Sequence, residues 1–278
     1  MANSASGESV ISRAMRVIEA FTAGSTVLGV SEVAQRTGLP LATAHRIVAE
    51  LEAERVLERD SQRKIRMGTR LWEISQRSSR EMSLRMAALP VMHDLQALVK
   101  SHVQLAVISD GEVLYLERLS RRNAVVNLAH PASRIPPYLC SSGLALLAEA
   151  PREVQSRVTD GPLTVSTDHS IRTGDQLRAI LAEARRRGFA VSYGYIQPTA
   201  KGIAVPVRDP DGRTVAALSV VVPLEVDHLP IIPAMITASR LITEGLAPHH
   251  YTSDDDPWRV RGTGQRASRP RTTGADAD

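Results

Sequence analysis

The sequence predicts an α+β protein in two parts: a small helical head that ends in a basic hairpin, and a larger antiparallel sheet flanked by helices. Three observations carry this reading. Residues 9–69 run through helical periods, a tight glycine turn and a stretch that alternates apolar with cationic residues. From His102 onward the period shortens to two, with Asp-Gly turn signals. Helical periods return between and after those strand runs, which indicates an antiparallel sheet covered by helices.

In the head, Val10, Ile11, Ala14, Val17, Ile18 and Phe21 form an apolar helical stripe. Ser31 is a suitable N-cap for a short helix over Glu32–Thr37. Gly38 supplies the permissive backbone of a helix-ending turn, and Leu39-Pro40 leads into the next helix. That second helix, Leu41 to about Glu54, buries Ala44, Ile47, Val48 and Leu51 and turns Thr43, Arg46 and Glu50 outward. A hairpin follows: Val56–Arg59, a polar turn Asp60–Arg63, then Lys64–Met67. Ile65 and Met67 are expected on its apolar face, and Lys64 and Arg66 on its cationic one.

Helix, turn, helix and basic hairpin in this order are the layout of a winged helix-turn-helix, a double-stranded DNA reader. In that layout the start of the second helix enters the major groove. The candidate DNA contacts are therefore Ser31, Ala42, Thr43, His45 and Arg46 on the helices, with Arg63, Lys64 and Arg66 along the phosphate backbone. Modules of this shape that bind proteins remain the alternative at this level.

Composition agrees. At 278 residues the chain has room for two domains, and 43% hydrophobic residues are enough for packed cores. The net charge is only +4, so cations matter where they cluster, in the hairpin and the tail. Aromatic residues make up 3%, too few for a single-strand binder that stacks bases. A single cysteine, Cys140, excludes an internal disulfide and a Cys-rich metal centre. His249-His250 lacks any supporting ligand, so no metal or cofactor is expected. The first residues lack a secretory apolar core, and Val215–Leu224 is about half of a membrane span. A soluble, cytoplasmic protein without membrane partners is expected.

The expected boundaries are a tail at 1–8, the head at 9–69, a helical linker at 70–90, a sheet domain at 91–247 and a disordered tail at 248–278. The linker helix should break before Pro90, with a second helix carrying Val91, Leu95 and Leu98. Its apolar positions Leu71, Ile74, Met82, Met86 and Leu89 suit burial against a second copy, hence a homodimer or a dimer of dimers. Strands are expected at 104–108, 112–117, 125–128, 189–193, 202–208 and 214–222. Helices are expected at 141–149, 176–187 and about 230–246. The segment from Pro248 is too polar to offset its ordering entropy.

The runs Ile11–Ile18, Ser31–Pro40 and Ala42–Arg46 resemble the N-terminal domain of IclR-type transcriptional regulators, the isocitrate lyase regulator family. The likeness continues through Ser142–Leu147, Ile203–Arg208 and Ala216–Val220, spanning about Val10 to Leu246. The resemblance implies a GAF-like sensor for the second domain, a small-molecule effector, and a repressor of a catabolic operon. A transcriptional activator is the alternative. It places Leu139, Cys140, Ser141 and Gly143 at the loop and helix start over the effector, and Ser192, Gly202 and Ser219 on the strands beneath. Many relatives are acidic at the position of Ser192, carry cysteine at that of Gly202, and often serine at that of Val221. Their loss predicts an effector bulkier or more hydrophobic than a small keto acid, oriented by Ser141, Ser192 and Ser219. Lys201 stands where relatives often have Arg, in a structural ion-pair role. From another class, a thiol at a helix start allows an enzyme with Cys140 as nucleophile and the head as a docking module. No motif assigns His130 or His169 the base it would need, so no catalytic residue is expected.

Overall fold

The computed structural model describes residues 8–22, 24–76, 80–121, 125, 131–246 and 257–259. The chain forms two compact units, residues 1–82 and 83–278.

The first unit opens with α1 (Val10–Glu19), whose cap Ser9 accepts the Ser12 N–H. A short strand β1 (Val27–Leu28) precedes α2 (Val30–Thr37), α3 (Leu41–Ala53), β2 (Leu57–Arg59), β3 (Ile65–Met67) and α4 (Thr69–Gln76). Gly38 ends α2 at φ +65°, the left-handed conformation that favours glycine. Val17, Leu28, Val33, Ala44, Ile47, Val48, Leu57 and Ile65 are the fully enclosed centre of its core.

Several expectations change here. Ser31 is not the cap of α2; the helix starts at Val30, and Gly29 holds the cap position. Val30 is drawn into the core, and the Glu32 carboxylate accepts the Gly29 N–H at 2.6 Å, so a side chain three residues on closes the helix start. The wing has three strands rather than two, because β1 pairs with β3 in the order β1-β3-β2. Two residues are too short to show a period. Met67 is exposed beside buried Ile65, since β3 ends there and no described residue covers its last side chain. On α1, Val17 is enclosed, whereas Val10 and Ile11 lie outside the core.

In the second unit, α5 (Arg80–Val99) runs unbroken through Pro90, against the expected break. Leu84, Ala88, Met92 and Leu95 form one buried stripe across the proline, and that burial outweighs the missing backbone hydrogen bond. Then come β4 (His102–Ser109), β5 (Glu112–Leu119), β6 (Arg134–Ile135), α6 (Ser141–Glu149), α7 (Arg152–Thr159), α8 (Gly174–Arg187), β7 (Ala190–Tyr193), β8 (Ala200–Arg208), β9 (Thr214–Pro223) and α9 (Ile232–Gly245). The sheet is antiparallel throughout, in the order β6-β5-β4-β9-β8-β7. β6 and α7 were not expected. Of the strand expected at 125–128, only Val125 lies within the described residues; its carbonyl meets His102 Nε2 at 2.8 Å.

The two faces of this sheet differ. One carries Val103, Leu105, Ile203, Val205, Leu218 and Val220 and packs with the buried stripes of α5 and α9. The other presents Ala106, Tyr115, Ala190, Ala204 and Ala217 to α6 and α8. Small side chains let α6 lie close to the strands. The tail is not wholly solvated, because Trp258 is buried in this second core. Pro257 accepts the Gly111 N–H, and Arg157 donates to the Trp258 carbonyl. One large aromatic ring gives enough apolar burial to fix a polar segment locally. The remaining tail residues, His249 and His250 included, lie outside the described residues.

Candidate functional sites in the two units

In the first unit, α3 splits cleanly by face. Ala44, Ile47 and Val48 are buried, Ala42, His45 and Arg46 are exposed, and Thr43 is half-buried. Ser31 is exposed on the first turn of α2. Arg46 Nη1 meets Glu50 Oε1 at 2.9 Å, an exposed pair one turn apart. Such a pair is worth only about 0.3–0.5 kcal/mol, so Arg46 can leave it for a stronger acceptor.

The wing is cationic but acid-buffered. Lys64 Nζ lies 3.4 Å from Glu32, Arg66 lies 3.2 Å from Glu58, and Arg59 lies 2.7 Å from Glu52. Arg63 sits at the hairpin tip at φ +60° with its side chain exposed. The Gly29 N–H, and after it Lys64, hold the Glu32 carboxyl below its ordinary value. A polyanion approaching the wing would exchange with these carboxylates for its cations.

In the second unit a cavity opens between the α6 start and the sheet. It is lined by Leu139, Cys140 and Ser141 at the helix start, and by Ser192, Gly202 and Val221, which lie side by side on β7, β8 and β9. Gln104, Tyr115 and Ile135 close one side, Tyr195, Ile196, Gln197 and Ala200 the other. The cavity holds about 60 Å³. At roughly 10–15 Å³ per water, that is room for about four to six waters.

Among the described residues no Asp, Glu, Lys, Arg or His lines this cavity. Its polar groups are neutral. Ser141 and Ser192 are buried, and an added Cβ at Gly202 would stand 2.6 Å from the first hydroxyl and 2.8 Å from the second. Both hydroxyls therefore lean over the bare backbone of Gly202. α6 has no side-chain oxygen at its cap; the Ser142 and Gly143 amides point to the Cys140 sulfur instead. A sulfur is a weak acceptor, so the positive end of the helix is poorly met.

Two of the expected effector residues fall elsewhere. Gly143 does not line the cavity; its missing side chain admits the Pro137 backbone, whose oxygen would be 2.2 Å from an added Cβ. Ser219 is also behind the lining, where its hydroxyl accepts from Ser142 at 2.9 Å and donates to Gln104 Oε1 at 3.4 Å. Lys201 is buried, donates to the Val226 carbonyl at 2.7 Å and lies over the Tyr193 ring, so a backbone carbonyl takes the place of the expected ion pair. Sequence reasoning missed Gln104, Tyr115 and Tyr195. Gln104 had a signal: it is the polar first residue of the expected strand 104–108, whose other residues are all apolar.

The enzyme alternative finds no support in the geometry. Burial pushes the Cys140 thiol above its ordinary value, outweighing the Tyr115 hydroxyl and the two amides that favour the thiolate. Among the described residues no group of three or more His, Cys, Asp or Glu could hold a metal ion. No described helix is long and apolar enough to cross a membrane.

These sites sit on sequence that matches known domains. Residues 10–61 match the IclR helix-turn-helix domain, and residues 76–227 match the C-terminal domain of bacterial IclR transcriptional regulators. The chain is 30% identical to a probable transcriptional regulator, SauR, of Cupriavidus necator, over 76% of this chain and 85% of that one. It is 26% identical to the regulator BhcR of Paracoccus denitrificans, over 89% and 90%. Among solved structures, an IclR homologue from Microbacterium hydrocarbonoxydans, crystallised with 4-hydroxybenzoate, shares 42% identity at a TM-score of 0.82, covering 86% of this chain and 99% of that one. With the helix-turn-helix head and the cavity-bearing sheet unit already in place, these matches make the chain a member of the IclR family of DNA-binding transcriptional regulators.

Proposed function

We propose that this regulator is a repressor of a catabolic operon, released from its operator by a monocyclic aromatic acid of the hydroxybenzoate type. The observation that carries the effector class is the neutral, largely apolar cavity whose Ser141 and Ser192 hydroxyls lean over Gly202. An aromatic ring fits its apolar lining of Leu139, Ile135, Ile196 and Val221. A carboxylate fits the poorly capped start of α6, where helix dipole and hydroxyls favour negative charge without a buried cation. The Microbacterium relative crystallised with 4-hydroxybenzoate supports the same class.

On the DNA side, Ala42, Thr43, His45 and Arg46 would read base edges, Ser31 would sit beside the backbone, and Arg63, Lys64 and Arg66 would lie along phosphates. The protein would act as a homodimer or a dimer of dimers, each head reading one half-site. Exposed Val10, Ile11 and Met15 on α1, with Trp72 and Ile74 on α4, give the head apolar surface for a second copy.

A band-shift titration of the full chain against the DNA upstream of its own gene tests this reading. Retardation that 4-hydroxybenzoate reverses is the expected result, with reporter transcription rising on addition of the acid. Falling transcription would reverse the sign, and no preference over scrambled competitor would remove the DNA assignment.

A further inference from the structure

The cavity has a second polar end. Gln104 is 2% exposed on β4, its Oε1 accepts from Ser219, and its buried Nε2 has no hydrogen-bond partner among the described residues. An unsatisfied buried amide donor is destabilising, so an amide group held this way calls for a reason. Its orientation is set from behind. Ser142 donates to Ser219, which donates to Gln104, and the buried Tyr115 hydroxyl lies within reach of both Ser142 and Cys140. This chain of hydroxyls holds the amide oxygen toward Ser219 and leaves the N–H₂ as the unpaired end of a residue that, with Tyr115, lines the cavity.

Position supports the same conclusion. Gln104 is registered opposite Ser219 on β9, and β9 in turn lies between β4 and the β8 strand of Gly202. The backbones of β4 and β8 therefore lie two strand spacings apart, roughly 10 Å, so Gln104 and the Ser141–Ser192 pair approach the cavity from different strands.

We infer that Gln104 is a specificity-determining ligand contact, its Nε2 donating to an acceptor at the far end of the effector ring from the carboxylate. This rests on the aromatic-acid reading above and adds to it which ring substituent is read, and by what. Ligand binding would satisfy the orphaned donor, so the cost of leaving it unpaired in the free protein becomes discrimination in favour of ligands that carry the acceptor.

Calorimetry of the full chain with 4-hydroxybenzoate and with benzoate provides the test. Wild type should bind the hydroxylated acid at least tenfold more tightly. Gln104→Met keeps length and bulk without the donor and should bring the two acids to within about threefold of each other, mainly by weakening 4-hydroxybenzoate. Gln104→Glu exchanges the donor for an acceptor and should weaken 4-methoxybenzoate, which offers only an acceptor at that end, more than 4-hydroxybenzoate, whose phenol can donate. Unchanged discrimination in both variants would overturn the role of Gln104 while leaving the effector class standing. Binding of neither acid by wild type would overturn the effector class and this inference with it.

Discussion

Replacing Gly202 by alanine isolates the shape of the cavity from the stability of the fold. The added methyl would stand 2.6 Å from Ser141 Oγ, 2.8 Å from Ser192 Oγ and 3.2 Å from Ser141 Cβ. Two of these neighbours are hydroxyl groups that can rotate away, and the third needs a shift of a few tenths of an ångström. The fold should therefore lose about 1 kcal/mol, the low end for overpacking. The cavity loses more in proportion. A methyl takes roughly the room of one water where about four to six would fit, and it displaces both hydroxyls from the ligand. One misplaced methyl in a fitted pocket costs about 1–3 kcal/mol, so 4-hydroxybenzoate should bind roughly tenfold to a hundredfold more weakly. Gly143→Ala is the contrasting variant. Its methyl would meet the Pro137 backbone at 2.2 and 2.4 Å, and no rotation relieves that. It should cost about 3 kcal/mol of stability before any ligand is added. Titration calorimetry and urea unfolding on both variants separate the effects. Wild-type affinity in Gly202→Ala, or equal destabilisation by the two substitutions, would refute the assignment of the space above Gly202 to ligand.

Other substitutions probe the remaining parts. Arg46→Ala should weaken operator binding by about 1–3 kcal/mol and relax the preferred sequence, measured by anisotropy against operator and scrambled DNA. Lys64→Ala should weaken all sequences alike and reduce the salt slope by about 0.9, read from affinities over a salt series. Trp258→Ala should destabilise the second unit by about 3 kcal/mol in urea unfolding, because a buried ring is removed. Glu32 has a folded pKa below its ordinary 4.5, so its contribution to stability is complete above pH 4.5 and is lost as pH falls through the folded value. Glu32→Gln should accordingly flatten the acid limb of the head's pH–stability curve below about pH 4.5, followed by circular dichroism.

Legibility in the sequence followed the strength of local signals. The α3 stripe, the Gly38 turn and the Asp-Gly hairpin were readable because each is fixed by a few adjacent residues. Pro90 misled because its local cost is real, and only tertiary burial of Leu84, Ala88, Met92 and Leu95 outweighs it. β1 and β6, at two residues each, carry no period to detect. Leu139, Cys140, Ser141, Ser192 and Gly202 came from family likeness, and they line the cavity. Gly143 and Ser219 stand just behind it, a distinction of a few ångströms that no alignment of motifs resolves. Gln104 and Tyr115 depend on strand register across the sheet, and Trp258 on a chain segment returning from far away.

Effector binding and effector response are separate properties, and the cavity by itself accounts only for the first. Any ligand of the folded state raises stability in proportion to its saturation, so a thermal shift with an aromatic acid would appear even in a protein whose DNA affinity never changed. Release from the operator requires the acid to prefer the DNA-free arrangement, and linkage then fixes the reverse effect. If 4-hydroxybenzoate lowers operator affinity by some factor, operator must lower 4-hydroxybenzoate affinity by the same factor. Measuring the acid by calorimetry with and without saturating operator gives that factor directly, and band shifts with and without the acid give it again. Equal factors above about fivefold, the low end of ordinary coupling, would establish a ligand-released regulator. Unchanged affinity for the acid on operator would mean that the cavity is occupied without regulating, and that the signal for this chain enters elsewhere.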